Sequence, residues 1–425
     1  MPAKSCAGKQ RYPHLFEPIR IGNIKLKNRI IAAPTSPSMM TPEGHMTMEM
    51  AAYLEEKAKG GAAVVTYGEA IVHSATGRSH NKQLQLDSFG VKQMLAEATR
   101  MIHNAGAYAN IQLSHGGKFG GLSSVGGDQY ESGPAYGPIA ESLPQGEVLE
   151  MPKELIYEII ESYGKAAKLC KDCGFDMVQM HAAHGWLMSQ FLSPTNNRKD
   201  EFGGSLDNRM RFMRLVINEV MKQAGDDMGV VVKVNMHDGF RRGMQTEECL
   251  EVAKELERLG VHALVLTAGF VSKAPMEVMR GAMPLKTLRH YMDFKKFWWL
   301  KAGLALAGRI VIPTVPFKEG YFLDEAKLFR ANLSLPLIYV GGLISKEKME
   351  EVLDAGFEGL QMARALVHDT DFVNKLKSGE VTCSECKHSN YCIGRMYTLE
   401  MKCHCKVDNL PRRLEREIAK AEKEL

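Results

Sequence analysis

"PKELIYEIIESYGKAAKLCKDCGFDMVQMHA", residues 152–182, is the stretch from which the fold is read. From Pro152 to Gly174 the apolar residues recur at spacings of three and four, which places them on one buried helix face, and the closing glycine fits a C-cap. "DMVQMHA" (176–182) follows at once as an apolar run of strand length. A helix feeding into such a strand is half of a βα repeat, and the repeat recurs along the chain. The other candidate strands are "RIIAAPT" (29–35), "AAVVTYGEA" (62–70), "YANIQLSH" (108–115), "GVVVKVNM" (229–236), "HALVLTAG" (262–269), "PLIYVGG" (336–342) and "EGLQMARA" (358–365), with helical patterns such as "TEECLEVAKELERLG" between them. Eight runs with helical crossovers predict an α/β chain folded as a closed (β/α)8 TIM barrel, whose reacting groups stand at the C-terminal strand ends.

Length alone leaves open two average domains or one large barrel. A chain of 425 residues with 45% hydrophobic and 24% charged residues reads as globular, and a net charge of +4 is too small to argue for nucleic acid or anionic lipid. A small molecule is therefore the expected partner. The opening "MPAKSCAGKQRY" lacks the apolar run of a signal peptide, and no stretch reaches the length of a membrane span, so a cytoplasmic location is expected. Of nine cysteines, Cys383, Cys386, Cys392, Cys403 and Cys405 crowd one C-terminal segment, which suggests metal rather than disulfides.

The predicted strand ends carry Pro34 and Thr35, Gly68 and Glu69, Gln112 and His115, His181 and His184, Lys233 and Asn235, Ala268 and Gly269, Gly341 and Gly342, and Ala363 and Arg364. Few are acids, which argues against paired-carboxylate chemistry, and no compact His/Asp/Glu set suggests a catalytic metal. "VGG" and "ARA", at the seventh and eighth strands, stand where many barrels bind phosphate through backbone N–H groups, with Arg364 as a bidentate clamp.

These residues resemble the old yellow enzyme family of flavin oxidoreductases, and within it the barrel part of the 2,4-dienoyl-CoA reductase branch. The segments that carry the resemblance are "LFEPIRIGNIKLKNRIIAAPTS", "IQLSHGGKFG", "HAAHGWLMSQFLSPTNNRKDEFGGSLDNRMRF" and "YVGGLISKEKMEEVLDAGFEGLQMARALVHDTDF", in the family's order and spacing. The resemblance implies FMN across the barrel mouth. Pro34 and Thr35 would lie against the flavin ring with Gly68 beside them, and Gln112 would bond its pyrimidine edge. Lys233 stands where the family usually has Arg, and a cation there stabilises reduced flavin. Gly341, Gly342, Ala363 and Arg364 would hold the ribityl phosphate. His181 and His184 match the pair that receives a substrate carbonyl oxygen, so that the β-carbon of an α,β-unsaturated carbonyl or enoyl substrate accepts hydride from flavin N5.

Trp186 departs from the pattern. It occupies the place of the family's usual tyrosine proton donor, and an indole N–H has no useful acidity near neutral pH. It either changes the chemistry or fills an apolar wall, and Tyr67, on the second strand, is an alternative donor.

Between strands six and seven the chain runs for roughly 66 residues, an insertion at about 270–335 that exceeds what one crossover needs. Within it "FKKFWWLKAGLALAGRIVIPTVPF" predicts an amphipathic helix and an extended piece serving as a lid, a subunit contact in a homo-oligomer, or a membrane-surface element. The barrel is expected over 1–380, and the cysteine-rich segment with a charged helix over 381–425. The cysteine segment falls where the family binds a 4Fe–4S cluster, but its spacings differ. Iron–sulfur, zinc and no metal all remain open, with four of the five thiolates as ligands. No G-x-G-x-x-G is present, so NAD(P)H is expected to reduce FMN directly, or an electron-donor protein to act through a cluster.

The expectation is thus an FMN-dependent ene-reductase acting on a small hydrophobic enone or enoyl substrate, bulky if the insertion forms a lid. The alternatives are a flavin-dependent dehydrogenase or quinone or nitro reductase, a flavin-bearing redox partner without catalysis, and a phosphate-binding barrel isomerase or aldolase.

Overall fold

A computed structural model of the chain describes residues 14–35, 39–121, 134–143, 146–291, 298–395 and 401–423. Eight parallel strands form its centre: β1 (Ile30–Thr35), β2 (Val64–Ile71), β3 (Tyr108–Ser114), β4 (Met177–Ala182), β5 (Gly229–Asn235), β6 (Ala263–Thr267), β7 (Leu337–Tyr339) and β8 (Gly359–Met362). Each pairs with the next, and β8 returns to pair with β1, so the barrel closes. Seven of the eight predicted runs contain the observed strands, and β2 runs one residue past its predicted end, to Ile71. "PLIYVGG" shortens to β7 because Gly342 takes a φ of +63°, outside strand geometry, and "EGLQMARA" stops at Met362 because Arg364 opens a helix.

The crossovers are helices α1 (Met48–Lys59), α2 (Lys92–Asn104), α3 (Lys153–Asp172), α4 (Leu206–Ala224), α5 (Thr246–Arg258), α6 (Leu323–Asn332) and α7 (Lys346–Asp354), and β8 is followed by α8 (Arg364–His368) and α9 (Phe372–Ser378). Their starts are written in the sequence: Thr47, Ser205 and Ser345 each accept a bond from a backbone N–H three residues on. Gly174, just beyond α3, adopts the left-handed conformation expected of it at φ +86°.

Strand alternation sorts the side chains into two environments. Val178 and Met180 of β4 face outward and pack in one cluster with Ile156, Ile159 and Tyr163 of α3, all fully buried. At about 2 kcal/mol per buried aliphatic side chain this layer dominates stability, leaving the inward positions freer to be polar. Inward, Ile31, Val64, Met177, Val231, Val265 and Ile338 fill the N-terminal end of the barrel, plugged by Ile21, Ile24 and Leu26 of the antiparallel hairpin Ile19–Ile21/Ile24–Leu26. Two and four residues further along, the same inward rows carry Gln179, His181, Lys233 and Thr267, so polarity rises toward the C-terminal mouth.

The insertion after β6 contains helices Pro275–Met279, Leu285–Tyr291 and Trp298–Val311. The predicted amphipathic helix is present, although its first four predicted residues, 294–297, lie outside the described residues. Leu304 packs on Met276, Met283, Leu285 and Leu288, while Trp298, Leu306 and Ile310 face solvent at 72%, 88% and 83% exposure. The C-terminal helix Arg412–Lys423 lies against the insertion, with Glu417 accepting bonds from the backbone N–H groups of Lys286 and Thr287. No helix among the described residues is long and apolar enough to cross a membrane.

Candidate active site at the barrel mouth

Pro34, His184, Lys233, Gly341, Gly342, Ala363 and Arg364 line a single cavity at the C-terminal end of the barrel. Thr267, Tyr321 and Gln361 line it with them. Lys233 is 6% exposed, and among the described residues its ammonium has no hydrogen-bond or ion-pair partner. Burial pushes its pKa down to about 7. Gln361, on β8 and 1% exposed, has no partner for either amide atom. A buried cation and a buried amide left open toward one cavity are the marks of a polar ligand that completes them. Behind this wall, Gln112 donates from Nε2 to Gln179 Oε1 at 2.8 Å, and a side chain at Gly68 would strike Pro34 Cβ at 2.4 Å. Gly68 thus lets Pro34 of β1 and Gln112 of β3 close in on β2 from either side.

Thr35 is oriented from behind. Lys57 of α1, 1% exposed, donates from Nζ to Thr35 Oγ1 at 2.7 Å and lies over the Tyr53 ring. With its oxygen accepting from an ammonium, the Thr35 hydroxyl proton is left to point elsewhere.

The His181 and His184 rings meet edge to face with centroids 5.3 Å apart. His184 reaches this place from a backbone at φ +61°, anchored by Asn235 Oδ1, which accepts from its N–H, and by a 2.9 Å contact between its Nε2 and Thr267 Oγ1. Burial holds both imidazoles neutral, assisted at His181 by His184 and Lys233: His184 falls to about 3 and His181 well below the usual histidine range. Each ring therefore presents one N–H donor, and neither serves as a proton source near neutral pH.

Trp186 packs against His181 at 5.9 Å and edge-on to Phe119 at 6.0 Å, closing the wall beside the pair. Tyr67, the alternative proton donor, is misplaced for that task. It is fully buried in the apolar layer between barrel and helices, on the opposite face of β2 from Thr66. His115 is likewise structural, held by Thr76 Oγ1 and the Gly117 N–H.

On the phosphate side, Gly342 is required as glycine: it has φ +63°, and a Cβ there would lie 2.7 Å from the Tyr321 ring. The first N–H groups before α7 are taken by Glu319, which accepts from Ile344 and Ser345. This leaves Gly342, Ala363 and Arg364 to meet an anion. Arg364 is held by Asn390 Oδ1 at 2.7 Å, and Asn390 by the carbonyls of Arg280 and Ala282. An FMN fits these residues: Gln112, Lys233 and Gln361 would serve its polar ring edges, and the Gly342/Ala363/Arg364 corner its phosphate.

A second cavity of about 360 Å³ lies outside the histidine pair and shares the wall built by Phe270, whose neighbour Val271 bonds the His184 carbonyl. Lys118, Arg241, Arg242 and Lys273 line it, against one acid, Glu141, which pairs with Lys118 at 2.9 Å. The described residues of the apolar insertion helix line neither cavity, whereas Val278, Met279, Tyr321 and Phe322, elsewhere in the insertion, line the first.

Sequence reasoning missed Gln361, Lys57, Asn390 and this basic cavity. Gln361 was legible as an inward polar residue on a strand, whereas the others come together only through long-range contacts.

Residues 14–382 match the NADH:flavin oxidoreductase / NADH oxidase family. The chain is 34% identical over 388 residues to a 4,4'-dithiodibutanoate disulfide reductase of Rhodococcus erythropolis, covering 91% of this chain and 94% of that protein. It is 26% identical over 406 residues to a cinnamate reductase of Clostridium sporogenes, covering 91% of this chain but only 56% of that protein. A solved 2-naphthoyl-CoA reductase complex shares the fold, with a TM-score of 0.77 at 24% identity over 96% of this chain and 58% of the other.

Proposed function

The chain belongs to the NADH:flavin oxidoreductase / NADH oxidase family and is an FMN-dependent oxidoreductase, and from this we propose that it reduces a C=C bond conjugated to a carbonyl in a substrate bearing an acidic group. The observation that carries the reading is the pair of buried, neutral imidazoles, His181 and His184, beside a cavity lined by Lys118, Arg241, Arg242 and Lys273. Bound FMN, reduced by NAD(P)H, supplies the hydride. The histidines donate N–H bonds to the substrate carbonyl oxygen and so draw charge away from its β-carbon. The basic residues attract and anchor the acidic end, and Phe240 and Phe270 provide apolar walls between. The cinnamate reductase relative acts, by its name, on an unsaturated acid.

Trp186 favours a second reading, an acceptor that needs no proton delivered to carbon. The 34% identical relative named as a disulfide reductase supports it, and its named substrate is again an acid.

The test is anaerobic. Protein loaded with FMN and bleached by NADH or NADPH is mixed with 4-(3-oxobut-1-enyl)benzoate, an enone with its carboxylate at the far end, its methyl ester or 4,4'-dithiodibutanoate, and flavin reoxidation is timed. The carboxylate is expected to act at least about tenfold faster than its ester at low salt, with the advantage shrinking as salt rises. The double variant Arg241→Ala/Arg242→Ala should raise KM for the acid and spare kcat. Equal rates for acid and ester would remove the anionic requirement, and reoxidation by the disulfide alone would establish the second reading.

A further inference from the structure

Two of the C-terminal cysteines meet a histidine from outside the cysteine segment. His368, the last residue of α8, places Nδ1 3.3 Å from Cys403 Sγ and 3.5 Å from Cys405 Sγ, and the three ligand atoms all lie within 4.8 Å of one another. Cys383 is exposed and has its backbone paired with Ser345, outside this group.

Ligand spacing favours one of the metals left open by composition. A tetrahedral zinc with bonds of about 2.3 Å to sulfur and about 2.0 Å to nitrogen spaces its ligand atoms at about 3.5 Å for N···S and about 3.8 Å for S···S. The His368 contacts match that spacing. In a four-iron cube each thiolate takes its own iron, so no two protein ligand atoms share a metal and none is drawn into such contact. A Cys-x-Cys pair with an imidazole across from it is a chelate for one ion.

We propose that His368, Cys403 and Cys405 bind a single thiophilic divalent ion, zinc by its ligand chemistry, with a fourth ligand recruited from outside this group of three. The ion would clamp the C-terminal segment to the end of α8, whose first residue, Arg364, lines the mouth cavity. The site is thus structural, and it stands independently of the proposed substrate.

The experiment is elemental and sulfide analysis of full-length protein purified anaerobically without added metal, followed by cobalt(II) substitution. The expected result is about one zinc per chain without acid-labile sulfide, and cobalt spectra with the visible bands of a tetrahedral thiolate site. His368→Ala and Cys405→Ser should each weaken cobalt binding more than tenfold, His368→Cys should restore it, and Cys383→Ser should leave it unchanged. About four irons with matching sulfide, insensitive to His368→Ala, would overturn the proposal. So would failure of the protein to take up zinc or cobalt at all.

Discussion

At the scale of single residues, the mouth is built from groups that burial keeps from carrying charge comfortably. His181 and His184 stay neutral, and Lys233 holds its proton only to about pH 7 against 10.5 for an ordinary lysine. The sign of the resulting pH dependence follows. Between about 7 and 10 the unfolded chain binds the Lys233 proton and the FMN-free folded chain does not, so stability rises with pH by up to about 1.4 kcal/mol per unit. Lys233→Met should flatten that rise. Urea denaturation of FMN-free protein at pH 7, 8 and 9 checks it, and parallel pH profiles for the two proteins would show that Lys233 titrates normally. The His/Trp stretch was legible because paired histidines at a strand end are rare without a task. What Trp186 does was not, since its neighbours His181 and Phe119 come from two different βα units.

At the scale of elements, strand and helix positions followed from period-two and period-3.6 patterning, and the departures lie where glycine or a helix start overrides the apolar run, as at Gly342 and Arg364. Part of the stretch that most resembled the family proves to be scaffolding. Arg198 is buried and donates to the carbonyls of Pro138 and Met151, and Arg209 to that of Leu192. The insertion helix Trp298–Val311 makes its own test. Leu285 lies 9% exposed beneath it, so Leu285→Ala should cost about 2–5 kcal/mol. Leu306→Glu and Ile310→Glu, on the solvent face, should stay within about 0.5 kcal/mol of wild type. Denaturant melts decide: a loss above about 1 kcal/mol for the glutamate variants would mean that this face is covered in solution.

At the scale of the whole molecule, the barrel is an apolar plug at one end and a polar mouth at the other. Ile21, 1% exposed in the hairpin, packs with Ile31, Val231 and Ile338, far along the strand rows from His181 and Lys233. Ile21→Ala should therefore lower unfolding free energy by about 2–5 kcal/mol while leaving FMN affinity within about twofold. Fluorescence titration with FMN alongside urea melts would measure both, and a large loss of affinity would show that the plug positions the mouth.

Composition, patterning and the order of motifs were enough to determine the (β/α)8 barrel, and they also nominated the strand-end residues proposed for the flavin. Strand alternation and helix periodicity are local rules that the chain states repeatedly. The tertiary structure alone decided which groups share a space. It turned Tyr67 away from the mouth, set Lys57 behind Thr35, opened a basic cavity beyond Phe270 and brought His368 to Cys403 and Cys405. Each of these depends on contacts between residues far apart in sequence, where closure of the barrel and packing of the insertion, rather than local propensity, set the distances.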